Sequence, residues 1–183
     1  MNPILPTTTD WMKEQMAHKP TYEYAQDIYN LAKKFGYQKA LEIGCMWGVS
    51  TLALLTGGTG ELLSVDKSDY THADEEVKTN GLGPRWRFIC MDSKDYWAQV
   101  DDSFDLIYVD GSHSYEYARL DINNAWRHLN EGGVLAVDDA MHKNNRPDSE
   151  DPYGVAIASL EHWYNNPSIK KVGFEGRILW FQK

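Results

Sequence analysis

The sequence predicts an α/β fold on a mostly parallel sheet, and three observations carry that expectation. Short apolar runs alternate along the chain with stretches of helical periodicity. The first clear run, Ala40-Leu41-Glu42-Ile43, passes into Gly44 and Gly48 and then into a helix start at Val49-Ser50-Thr51. Successive runs end on acids, at Asp66, Asp92, Asp110 and Asp138-Asp139, where an open parallel sheet keeps its ligand site.

The whole chain sets the bounds. Its 183 residues suit one domain over 1–183, with room for a single sizeable core. A formal charge of −9 disfavours a groove for nucleic acid, which would need a Lys/Arg-rich face. Cys45 and Cys90 form neither a C-x-x-C pair nor a disulfide framework, so a reducing compartment is expected. The sequence carries no apolar run of about 20 residues and no signal-peptide pattern. The expectation is a cytoplasmic protein without a membrane partner.

Taken in order, residues 1–20 read as an arm with one short helix, either a packing strap or a substrate lid. Thr21 offers an N-cap for a helix with Ala25, Ile28, Leu31, Ala32 and Phe35 on one face, stopped by Gly36. After the glycine turn and its helix, Glu61–Val65 forms a second strand ending on Asp66. In such sheets an acid there can take both ribose hydroxyls of an adenosine, or merely cap the next turn. Residues 67–84 read as a helix followed by turns. Arg85–Cys90 is a third strand, and Asp92-Ser93 either stands near an adenine amino group or starts the next helix. Phe104–Val109 is a fourth strand, apolar from 106 to 109 as a central parallel strand requires.

A helix from Ser114 carries Ala118, Ile122, Ala125, Trp126 and Leu129 inward and stops at Asn130-Glu131-Gly132-Gly133. Val134–Val137 is a fifth strand ending on Asp138-Asp139. A polar loop, 140–153, follows at the same sheet edge. A helix over 155–164 with Ile157, Leu160 and Tyr164 inward, and a hairpin of Ile169–Phe174 and Ile178–Phe181, close the chain.

Asp110, Asp138 and Asp139 at one sheet edge repel unless a cation neutralises them. Oxygen donors of this kind suit Mg²⁺, Mn²⁺ or Ca²⁺. His113, three residues past Asp110, could take a proton from a hydroxyl held there; His142 is a second candidate.

The spacing Glu42-x-Gly44-x-x-x-Gly48 differs from the G-x-G-x-x-G of nicotinamide binders. It resembles the cofactor loop of class I S-adenosylmethionine (SAM) methyltransferases, and the closing hairpin is similar to the one that ends their sheet. With Asp110-Gly111-Ser112-His113-Ser114-Tyr115-Glu116, Leu129–Gly133 and Val137-Asp138-Asp139, residues 36–140 resemble the small metal-dependent O-methyltransferases of macrolide and aminocoumarin sugars.

That resemblance implies a Rossmann-like, seven-stranded sheet with a C-terminal antiparallel hairpin and helices on both faces. It implies SAM bound over Glu42, Gly44, Cys45, Met46, Trp47, Gly48 and Ser50. Asp66 would hold the ribose, Asp92, Ser93 and Asp110 would complete the cofactor site, and Glu42 would fix the loop. It further implies a divalent metal, magnesium first, on Asp110, Asp138 and Asp139, and His113 as the catalytic base toward a small-molecule hydroxyl. The family's larger substrate-covering segments shrink here to the 1–20 arm and the 140–153 loop. A chain this short could borrow a neighbour's surface in a homo-oligomer. The competing readings are a metal-independent methyltransferase, a non-catalytic SAM-binding protein and a nicotinamide oxidoreductase.

Overall fold

A computed structural model describes residues 10–69, 71–140 and 153–183. Seven strands form one sheet: β1 (Lys39–Ile43), β2 (Glu61–Asp66), β3 (Trp86–Cys90), β4 (Phe104–Val109), β5 (Leu129–Val137), β6 (Lys171–Glu175) and β7 (Ile178–Gln182). Their spatial order is β3-β2-β1-β4-β5-β7-β6. The first five are parallel, while β7 runs antiparallel to both β5 and β6.

Side chains alternate between the faces of each strand, so the sheet feeds two cores. On one face Ala40, Leu106 and Tyr108 meet Ala25, Ile28 and Leu31 of α2 (Lys19–Phe35) and Ala53 and Leu54 of α3 (Val49–Gly57), with Val77 of α4 (Thr71–Thr79). On the other, Leu41, Ile43, Ile107 and Val109 meet Tyr96 and Trp97 of α5 (Ser93–Trp97), Ile122 and Trp126 of α6 (Tyr115–Arg127) and Val155 and Ala158 of α7 (Gly154–Asn165). Burial on both sides explains why the central strands read as unbroken apolar runs.

Helix α7 turns Val155, Ala158 and His162 to the core, whereas Ile157, Leu160 and Tyr164, expected inward, are exposed. Some boundaries move. Helix α2 begins at Lys19 behind His18, not behind Thr21, because Pro20 sits in its first turn; the Thr21 hydroxyl lies 3.1 Å from His18 Nδ1 instead. Strand β5 begins at Leu129, since α6 has already ended at Arg127, and the expected stop at 130–133 becomes part of the strand. The register against β4 slips there, between Phe104 and Leu106, with Gly132 at φ 81°. The arm contains α1 (Asp10–Ala17), whose Met12 is buried. Most of the 140–153 loop, His142 included, and residues 1–9 lie outside the described residues. Among the described residues no helix is long and apolar enough to cross a membrane.

Candidate active site

At the carboxyl ends of β1, β2 and β4 the chain must turn tightly. Gly44 has φ 84°, and a Cβ on it would stand 2.2 Å from the Asp110 carbonyl oxygen. Gly48 has φ 89°, and its Cβ would meet Ala73 at 2.7 Å. Both positions are therefore closed to any L side chain. Between them Met46 adopts φ 45° without being glycine, a cost tolerated mainly at functional loops.

Asp66 holds this loop. Its Oδ2 accepts from the Cys45 and Met46 amides at 3.0 Å each, and its Oδ1 accepts from Ser68 N at 3.0 Å. Beside it lies a cavity of about 350 Å³ bordered by Gly44, Met46, Asp66, Asp92, Ser93, Asp110 and Tyr117. Asp92 caps α5 through Lys94 N at 2.9 Å, and its other oxygen faces the Tyr117 hydroxyl at 3.4 Å. Asp92 thus starts the helix and lines the cavity at once.

Glu42 fixes the loop, as expected, but from beneath it. It is 0% exposed and borders neither cavity. Its Oε2 accepts from Thr51 Oγ1 at 2.7 Å and Ser64 Oγ at 2.5 Å, tying α3 to β2 beneath the loop. Burial pushes its carboxyl up to about 7, against the hydroxyl donors that pull it down. Glu42 and Gly48 shape the loop from below; they do not line the space above it.

A second space of about 680 Å³ opens from the first, sharing Gly44, Met46, Asp66 and Asp110. Cys45, Trp47, Ser50, Tyr24, His113, Asp139 and Arg177 border it, and Gln15 of α1 and Thr21 close one side. Asp139 follows β5 in a left-handed conformation, φ 52°, which Asp tolerates better than most residues. Its Oδ2 lies 3.3 Å from His113 Nε2. Single ligand atoms of Asp110, His113 and Asp139 all fall within 4.8 Å of one another.

Asp138 does not join them. Its side chain is 0% exposed and is clamped by the Arg177 guanidinium, with Nε donating to Oδ1 at 2.9 Å and Nη2 to Oδ2. The expected set of Asp110, Asp138 and Asp139 is thus replaced geometrically by Asp110, His113 and Asp139, because a bidentate arginine already occupies Asp138. Arg177 also stands 3.6 Å from Asp139 Oδ1 and 4.2 Å above the Tyr24 ring. Tyr24 in turn donates to Asp110 Oδ2 at 2.7 Å. Burial, then the neighbouring Asp138 charge, raises the Asp110 carboxyl well above its ordinary range. Burial favours a neutral Arg177, but the carboxylates of Asp138 and Asp139 outweigh it and hold the guanidinium charged.

Arg177, Tyr24 and Tyr117 were not singled out in the sequence. For Arg177 a signal existed: β7 pairs antiparallel to β5 with Val137 opposite Leu179, so the residues after Val137 meet those before Leu179. Reading it required the register as well as the hairpin.

The sequence profile of a family described as a methyltransferase domain matches residues 41–140, more than half of the chain. No curated protein matches it significantly. Solved structures similar in fold include an O-methyltransferase from Bacillus cereus in complex with S-adenosylhomocysteine (19% identity, TM-score 0.72, covering 87% of this chain and 80% of that one). Another is an O-methyltransferase of Streptomyces achromogenes involved in tomaymycin synthesis, in complex with SAM (18%, 0.73, 98% and 91%). A third is a methyltransferase of Podospora anserina bound to S-adenosylhomocysteine (20%, 0.68, 97% and 89%). The strand order, the glycine turn after β1 and the match over 41–140 together show that the chain belongs to the methyltransferase-domain family, with the class I fold of SAM-dependent methyltransferases.

Proposed function

We propose that the chain transfers the methyl group of SAM to a hydroxyl of a small molecule, with a sugar or small natural product as the acceptor class and a divalent cation, magnesium first, assisting. The observation that carries this reading is the convergence of Asp110, His113 and Asp139 beside a cavity continuous with the Gly44 loop. The donor set fits a hard cation, which is commonly held by one or two carboxylates and completed by waters and substrate oxygens. Asp139 Oδ1 supports the fit: it is buried and accepts no hydrogen bond among the described residues, its contact with Arg177 Nη1 being an ion pair at 3.6 Å. Asp110 and Asp139 would hold the ion, which when bound lowers the pKa of a hydroxyl and orients it.

The remaining work falls to the chain itself. Asp66 clamps the loop so that backbone at Gly44 can approach the donor closely. Asp66 and Asp92 border the first cavity, where they would take the ribose hydroxyls and the adenine amino group. His113 acts as the base, and Asp139 Oδ2, 3.3 Å from its Nε2, stabilises the imidazolium that forms when the ring takes the acceptor's proton. SAM is already an activated donor, so alignment supplies most of the acceleration, with effective molarities on the order of 10⁵ M or more.

A second reading, transfer without a metal, is favoured by the Arg177 clamp, which already brings a positive charge to the acids, and by the His113–Asp139 pair. One experiment separates the two. Turnover on hydroxyl acceptors should vanish in excess EDTA, return with Mg²⁺, and fall in Asp139→Asn, while SAM binding by calorimetry stays unchanged. Turnover persisting in EDTA selects the metal-free reading. SAM binding with no turnover on any hydroxyl acceptor would instead mark a non-catalytic binder.

A further inference from the structure

Helix α7 carries a surface that methyl transfer does not use. Eight large apolar side chains are exposed among the described residues, and five of them cluster here: Tyr153, Ile157, Leu160, Trp163 and Tyr164. At 3.6 residues per turn they occupy one stripe of about 120°, while Val155, Ala158, Ser159 and His162 face the core. Leu160 is 57% and Tyr164 91% exposed. Single exposed apolar residues are ordinary, but a contiguous stripe marks an interaction surface.

The spacing and the area identify the occupant. Positions 153, 157, 160 and 164 follow at intervals of four, three and four, the same read in either direction. An antiparallel copy laid over a two-fold axis between Ile157 and Leu160 sets Ile157 against the partner's Leu160 and Tyr153 against the partner's Tyr164. Each contact is then made twice, as an isologous interface requires. Glu161, at the edge of the stripe, falls opposite the partner's Ala156 and away from a second carboxylate. At about 200 Å² for a side chain of this size, the stripe exposes roughly 600 Å². Two copies together would bury about 1,200 Å², the lower bound for a specific interface.

We infer that α7 is the centre of a symmetric homodimer interface, its occupant a second copy of this chain. Light scattering on the full chain at about 10 μM should give twice the 21.0 kDa of one chain. Leu160→Glu, and independently Tyr164→Glu at a site too exposed to disturb the fold, should weaken the dimer at least about 100-fold with SAM binding unchanged. In a Cys90→Ser background, oxidised Ile157→Cys/Leu160→Cys protein should run as a covalent dimer. A single-chain mass for the unaltered protein would overturn the inference, whether the stripe is bare or covered by residues 1–9 or 141–152. So would a dimer indifferent to both glutamate substitutions, which would place the interface elsewhere.

Discussion

The two halves of the cleft are built on different principles. On the loop side, around Gly44–Gly48, Asp66 and Asp92, each carboxylate is held chiefly by main-chain amides, two residues on or in the loop after the adjacent strand. On the acid side, Asp110, Asp138 and Asp139 are balanced by side chains from the far ends of the chain: Tyr24 from α2 and Arg177 from the β6–β7 turn. One half is a backbone shape; the other is a balance of charges. The difference teaches that the loop side should tolerate changes beyond its glycines, whereas the acid side should fail when any counter-charge is removed.

The largest effect expected from breaking that balance is on stability. Arg177→Ala leaves Asp138 buried without its counter-charge, and chemical denaturation should show a loss of about 3–5 kcal/mol. Arg177→Lys should recover only part, because an ammonium cannot donate along the two-point fork. The double variant Asp138→Asn/Arg177→Met should recover more than the lysine. If Arg177→Ala proves harmless, the charge-balance account of this side is wrong.

Next in size is a purely catalytic effect on the same side. His113→Ala should lower kcat by about 10²-fold, near 3 kcal/mol of barrier, with the Kd for SAM unmoved. A matching loss of SAM affinity would erase the division between the two halves.

A pH-dependent effect, full only at the upper end of its window, sharpens the loop side. Glu42 has a folded pKa of about 7, above the roughly 4.3 of an unfolded chain. The folded state therefore holds the extra proton, and stability from this group falls as pH rises from about 4.3 to 7, then levels off. The shift caps this drop at about 4 kcal/mol. Thermal unfolding of Glu42→Gln across that window should lack this component, while a parallel pH profile in both proteins would show that Glu42 ionises without penalty.

The division also explains what the sequence could disclose. The sheet, the glycine turn and the acids at the strand ends are local patterns, and residues 40–51, 66 and 110 stand where periodicity and spacing put them. The site's acid side was legible only in part. Asp110, His113 and Asp139 converge, yet Asp138 looked identical to Asp139 in sequence. What separates them is the β5–β7 register, a contact spanning some forty residues that no local pattern encodes. Glu42 was legible as the residue that fixes the loop, but not its partners: the hydroxyls of Thr51 and Ser64 come from α3 and β2, and their packing sets which way it points.

The antiparallel course of β7 has a consequence for biosynthesis. A nascent chain that has emerged as far as β5 already carries three carboxylates at one sheet edge, with their arginine still 39 residues behind Asp138. During that interval the edge is electrostatically self-repelling and β5 lacks its antiparallel neighbour. Arrival of the hairpin seals the strand edge and neutralises the acids in a single docking event. The side of the cleft that holds Asp110, Asp138 and Asp139 is accordingly completed only when β7 docks on β5.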